Sequence, residues 1–328
     1  MRIAAAAVAA SAIMWALVTG CGTAPKTTTH TGGGAAGESG GVGGGGAGGG
    51  AGGAGGGGPI QFCKGCTLQP GCSGFANGDL LESSGIASSS VQDGAYYVHN
   101  DSGDTARFFA TNCAGDDLGT YTVKGADAVD WEDMARGPCG AKQCLYFADI
   151  GDNDSVRSEL AVYRVAEPAS LGPGVHEILG EKVTFTYPDG AHDAETFLVH
   201  PQTGDMTVVT KVARGKSGIY TFPGPFSPGA TVTLVKVGEV EPPSGSLRIT
   251  SGAIHPAGEG VLLRTYTSLF FYAMSPAQPI AEALAAKPCD MPVMLELQGE
   301  SVTFTAKGDG YLTVSEQSGQ SLHPASCK

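Results

Sequence analysis

One pattern recurs five times between residues 81 and 316, and nothing else in the chain limits the fold as strongly. Each unit has an acidic or small polar site, a short apolar or β-branched run, a Gly turn, a second run and a polar residue at its end. The units open at Glu82-Ser83-Ser84-Gly85-Ile86, Asp130-Trp131-Glu132-Asp133-Met134, Asp193-Ala194-Glu195-Thr196-Phe197, Ile249-Thr250-Ser251-Gly252-Ala253 and Gln298-Gly299-Glu300-Ser301-Val302. Their second runs are 96–100, 145–149, 206–211, 261–266 and 311–316. Two more runs follow each of the first four units: 108–111 and 120–124, 160–165 and 183–187, 219–222 and 232–237, 269–273 and 293–297. Short runs bounded by Gly, Asp, Asn and Pro read as strands, and a helical period shows only around 280–286. Four strands per unit, at a period of about 50 residues, is the signature of a propeller blade.

The fifth unit stops early, with only 321–324 after its second strand. A ring must still close, and residues 60–80 are the natural donor of the missing strand. The expectation is an all-β propeller of five blades, closed by the amino-terminal segment of the domain. Six blades would require irregular strands within 60–80 and 171–181.

Ahead of the domain, residues 1–20 carry one early basic residue, Arg2, then an apolar run and small residues before Cys21. That is the layout of an export signal, too short for a membrane span. Val18-Thr19-Gly20-Cys21 resembles the bacterial lipobox, which makes Cys21 the expected lipidation site and the cell surface or outer membrane the expected location. Residues 21–59 are Thr-rich and then almost unbroken Gly and Ala, a composition that cannot offset its ordering entropy and reads as a tether. The domain proper is 60–328. Of nine cysteines, eight lie beyond Cys21, an even set that suits disulfides in an exported chain. Cys139 and Cys144 flank a hairpin and form the expected bridge, and Cys327 is expected to tie back to the 63–72 cluster. The pairing of Cys63, Cys66, Cys72, Cys113 and Cys289 is left open. Cys63-Lys64-Gly65-Cys66 has no second C-x-x-C and no nearby histidine, which disfavours zinc.

Formal net charge is −13, which excludes nucleic acid and anionic membrane as principal partners. Side chains alternate along strands, so repeat phase shows which acids converge. Alignment of the units puts Ser84, Glu132, Glu195, Ser251 and Glu300 at one level, with Glu82, Asp130, Asp193, Ile249 and Gln298 two residues earlier. At the ends of the neighbouring strands stand Asn100, Asp149, Lys211, Thr265 (beside Arg264) and Glu316. Converging carboxylates repel unless protonated or neutralised. Glu132, Glu195, Glu300, Asp130, Asp193 and Asp149 are therefore candidate metal ligands, and Asn100, Lys211, Arg264 and Glu316 candidate ligand contacts. Oxygen-only donors favour calcium. Asn100-Asp101-Ser102-Gly103-Asp104 starts like a calcium loop but lacks the distal Glu, so it reads as an Asx-rich turn. His200-Pro201 and His255-Pro256 are turn chemistry within the repeat. Trp131 is expected in the core, and no G-x-S-x-G elbow supports a serine hydrolase.

D-W-E-D-M-A at 130–135, D-I-G-D-N at 149–153, V-Y-R-V-A-E-P at 162–168 and D-A-E-T at 193–196 resemble a poorly characterised family of exported bacterial β-propellers. A more distant similarity links these to β-propeller phytases and esterase-like phytase domains, whose acidic channel mouth holds calcium and phosphate; it transfers no catalytic residue. Two functions follow. One is a monomeric, surface-tethered, non-catalytic propeller that binds a cation and a ligand at its acidic mouth. The other is a calcium-dependent hydrolase of phosphate esters or lactones.

Overall fold

The computed structural model describes residues 62–296, 298–316 and 320–328. The expected export signal, lipidation site Cys21 and tether lie outside the described residues. Five sheets form the blades of a propeller, three of them wholly antiparallel and two carrying one added parallel strand. A short helix α1 (Phe62–Gly65) and strand β1 (Cys66–Leu68) precede blade one, which is β2 (Ser83–Ser88), β3 (Ala95–Asn100), β4 (Arg107–Asn112) and β5 (Thr120–Lys124). Blade two is β6 (Trp131–Cys139), β7 (Lys142–Asp149), β8 (Leu160–Ala166) and β10 (Glu181–Thr186), with β9 (Val175–Leu179) in the loop before β10. Blade three is β11 (Ala194–Val199), β12 (Met206–Thr210), β13 (Ser217–Thr221) and β15 (Val235–Val240), with β14 (Thr231–Thr233) before β15. Blade four is β16 (Ile249–Ile254), β17 (Gly260–Thr265), β18 (Leu269–Ala273) and β19 (Cys289–Asp290), with helix α2 (Ile280–Leu284) preceding β19. Blade five is β20 (Gly299–Phe304), β21 (Gly310–Ser315) and β22 (His323–Cys327).

β1 supplies the missing strand of blade five, pairing antiparallel with β22 so that Cys66 faces Cys327. Three disulfides then sew the closing segment to blades four, five and one: Cys63–Cys289, Cys66–Cys327 and Cys72–Cys113. The hairpin bridge Cys139–Cys144 joins β6 and β7. Four disulfides fit an oxidising, extracytoplasmic compartment.

Blades stack face to face, so the inner strands are covered on both sides. β2, β11 and β20 are buried along their whole length. One apolar cluster fills each junction between neighbouring blades, including the junction of blades five and one, where Ile86, Val98 and Phe109 meet Leu312, Val314 and Leu322. Trp131 packs between blades one and two, stacked on Phe147 at 4.8 Å.

Three readings of the strands are corrected. The loop at 171–181 does not hide a sixth blade: β9 returns to blade one and pairs in parallel with β5 as its fifth strand. The single strand expected at 232–237 is divided at buried Leu234, β14 adding in parallel to blade two and β15 completing blade three. The fourth strand of blade four lies at Cys289–Asp290, where the bridge to Cys63 pins it, rather than at 293–297.

Candidate metal centre at the channel mouth

Every inner strand carries a β-bulge at the same place. Register shifts occur between Ser83 and Gly85, Trp131 and Asp133, Ala194 and Thr196, Ile249 and Ser251, and Gly299 and Ser301. The extra residue of each bulge is Ser84, Glu132, Glu195, Thr250 or Glu300. A bulge turns its residue out of the alternating pattern, which delivers five side chains to one level. In blade four the occupant is Thr250, not Ser251; sequence alignment had slipped by one residue. Ser84 and Thr250 use their hydroxyls as straps to the next blade, on Glu132 O at 2.6 Å and Gly299 O at 2.7 Å. The other three positions are glutamates.

Two residues before the bulge stand Glu82, Asp130, Asp193, Arg248 and Gln298. The backbone carbonyls of Glu82, Asp130, Asp193 and Gln298 accept from the amides of Asp101, Ile150, Lys211 and Glu316. Asp101, Lys211 and Glu316 are thus equivalent, and Asn100, Asp149 and Thr265 sit one residue earlier, paired with the strand starts. The level of strand ends drawn from sequence had mixed these two positions, which is how Asp101 escaped notice.

Asp101, Asp130 and Glu132 form the tightest group. Each offers an oxygen within 4.8 Å of the others'. Calcium–oxygen bonds of 2.3–2.6 Å allow ligand oxygens up to about 5 Å apart across the ion, so the three fit one cation. Glu132 is 5% exposed, and no hydrogen-bond donor meets its carboxylate among the described residues. Burial, then the charges of Asp101 and Asp130, raise its carboxyl well above the ordinary range. Burial, then the charges of Asp101, Asp149 and Asp193, push Asp130 up to about 6, and burial raises Asp101 as well. Gly151 forms the back of this group; a Cβ there would collide with Glu132 Oε1 and Asp130 Oδ2. The D-I-G-D-N run needs glycine for that close approach.

The remaining candidates divide. Asp149 is 2% exposed and bound to Arg157 at 2.8 Å, while its Oδ1 accepts from the Asp130 amide at 3.1 Å. It braces the loop that presents Asp130. Asp193 accepts from the Asp152 amide at 2.9 Å. Glu195 is ion-paired with Lys211, which also lies over the Tyr266 ring, and Glu195 Oε2 is buried without a partner. Glu300 is nearly buried, and burial pushes its carboxyl up to about 7. Glu316 accepts from Gln298. Asn100 is occupied by its own loops, accepting from the amides of Leu81 and Glu82 and donating to Asp79 O and Asp104. Arg264 runs between blades four and five over Gly299 to pair with Glu296, both buried. Its charge is taken up inside the wall.

Asp133, next to Glu132, forms the waist of the channel. It is fully buried and accepts from the amides of Met134 (2.9 Å), Phe197 (3.0 Å) and Gly252 (3.3 Å) and from the Ser251 hydroxyl (3.1 Å). One carboxylate thereby joins the inner strands of blades two, three and four. His200 and His255 cap their own turns through Nδ1, as their place before proline suggested.

No family model matches this chain, and no curated protein is significantly similar to it. Among solved structures, a gluconolactonase from Xanthomonas campestris matches over 80% of this chain and 99% of its own, at 9% identity and a TM-score of 0.41. A likeness that slight says nothing of what this chain binds or converts.

Proposed function

We propose that the propeller is a cation-dependent binding module of the bacterial cell envelope. Asp101, Asp130 and Glu132 hold a divalent cation at the channel mouth, and Asp193, Glu300, Glu316 and Lys211 present the rim to a ligand. The observation that carries this reading is the Glu132 carboxylate: buried, without a donor, and facing two other carboxylates. A cation removes that electrostatic penalty, whereas Lys211, Arg157 and Arg264 are engaged with Glu195, Asp149 and Glu296. The all-oxygen donor set suits calcium. A lipid on Cys21 and the Gly-rich tether would hold the domain off an outer membrane or cell surface. Calcium at a hundredfold excess over Kd stabilises by about 2.7 kcal/mol, or about 5–10 °C in Tm for a domain of this size. Melting with calcium and with chelator tests the site. The expected rise is absent in Glu132→Gln, and identical curves for the unaltered chain in calcium and chelator would refute the reading.

One observation favours a second reading. Glu300 stands at the same level, with a carboxyl poised to exchange protons near neutrality and no donor among the described residues, as a general base requires. That suits a calcium-dependent hydrolase of phosphate esters or lactones. Turnover of such a panel with calcium, lost in Glu300→Gln, would establish it; flat progress curves would leave binding alone.

A further inference from the structure

His200 and His255 hold equivalent places just past the ends of β11 and β16, and their ring protons are used differently. In each ring Nδ1 accepts from backbone amides, those of Gln202 and Thr203 for His200 and that of Ala257 for His255, so the proton lies on Nε2. His255 donates it to Gly308 O of the next blade at 3.1 Å. His200 is as deeply buried, at 4% exposed, yet its Nε2–H meets no acceptor among the described residues. The turn of blade four that it would strap is held instead by Gln202, which donates to Ala257 O at 3.1 Å. A cavity of ≈ 210 Å³ opens here between blades three and four, on the face opposite the acidic mouth, and His200 lines it.

The connection between β18 and β19, which carries α2, forms the second wall. Val237, Pro276 and Pro279 stand exposed in this cleft and Ala281 is half-buried beside them, so their apolar surface is free to be covered. Thr203 and Asp205 are bonded to each other, and the Thr221 hydroxyl donates to Met206 O. Sites for small molecules pair an apolar wall with a few aimed polar groups, and this cleft has that composition. Its volume exceeds the about 150 Å³ that takes up benzene. An N–H donor takes an acceptor and not an ammonium. The Asp205 carboxylate in the wall and the formal net charge of −13 act against an anion. We propose that this cleft binds a small neutral carbonyl compound, its oxygen accepting from His200 Nε2 and its compact hydrocarbon body lying against Val237, Pro276, Pro279 and Ala281. The site does not depend on the cation reading.

Titration of the full chain with acetophenone, ethylbenzene and benzoate, followed through the ring-nitrogen NMR signals of the histidines, tests it. Acetophenone should saturate one site and shift the His200 Nε2 signal while leaving that of His255 in place. Ethylbenzene, which lacks the oxygen, should bind about fivefold more weakly, the loss expected for one neutral hydrogen bond, and benzoate more weakly than acetophenone. His200→Asn keeps an acceptor for the two turn amides and removes the donor, and should lose the same factor; His255→Asn should keep full affinity. Ala281→Leu, which fills the cavity and leaves the donor, should abolish binding. Absence of saturable acetophenone binding, equal affinity for ethylbenzene or benzoate, or an unchanged affinity in His200→Asn would each overturn the proposal. The comparison of the three probes needs no variant, so it decides the matter even where a substitution disturbs folding.

Discussion

Glu132 and Asp133 follow each other on β6, and both are buried at the channel, yet their surroundings are opposite in kind. Asp133 faces three backbone amides and a hydroxyl contributed by blades two, three and four. Glu132 faces two more carboxylates and no donor. Burial raises both carboxyls, but at the waist the fold itself supplies the compensating dipoles. At the mouth it does not. A buried acid can therefore be part of the scaffold or a demand for an outside partner, and only its neighbours tell which.

The largest expected effect breaks the waist. Asp133→Ala strands three buried N–H groups and a hydroxyl, and should cost about 4 kcal/mol or more, read as a fall in the denaturant midpoint. A loss under about 1 kcal/mol would mean that the clasp contributes little and the contrast with Glu132 is false. Next comes the mouth's own cation. Lys211→Met leaves Glu195 uncompensated, at about 3 kcal/mol by the measure of broken buried pairs, and calcium should restore more stability to this variant than to the unaltered chain.

The third effect is the pH dependence without metal. Asp130 rises from 3.8 to about 6 and Glu300 from 4.5 to about 7. Between these values the folded state binds more protons than the unfolded chain, so stability falls as pH rises. In chelator, Tm should drop by several degrees from about pH 5 to pH 7.5. Calcium should flatten that slope. A flat profile in chelator would show the mouth neutralised from within. The smallest effect separates the neighbours by sign. In chelator, Glu132→Gln should raise stability by about 1 kcal/mol, since it removes charge repulsion without stranding a donor. A fall comparable to that of Asp133→Ala would put both residues in the scaffold.

How far the site was legible follows from what each residue depends on. Asp130 and Glu132 stand out because D-W-E-D opens a strand and its acids recur in phase with Asp193 and Glu195. Asp101 was hidden inside an Asx-rich run that reads as a turn; its equivalence to Lys211 and Glu316 was the signal that could have found it. Arg157 lies eight residues beyond Asp149 in an irregular loop, and no periodicity points from one to the other. Ser251 shows the limit most plainly, since the one-residue shift of the bulge moves it from Glu132's level to Asp133's, where it donates to that carboxylate.

The sequence by itself determined the strand class, the five repeats, the need for a strand from the amino terminus and the Cys139–Cys144 bridge. All of these rest on local periods, turn residues or short spacing. Only the tertiary structure decided which acids share a cation-sized space, that Asp133 belongs to the scaffold, that β9 and β14 reinforce the preceding blades, and that Arg264 is consumed within the wall. Those outcomes depend on bulge register and on contacts between strands from different blades. The energies involved pass through space between residues such as Asp133 and Gly252, far apart in the chain, and a linear pattern carries no record of them.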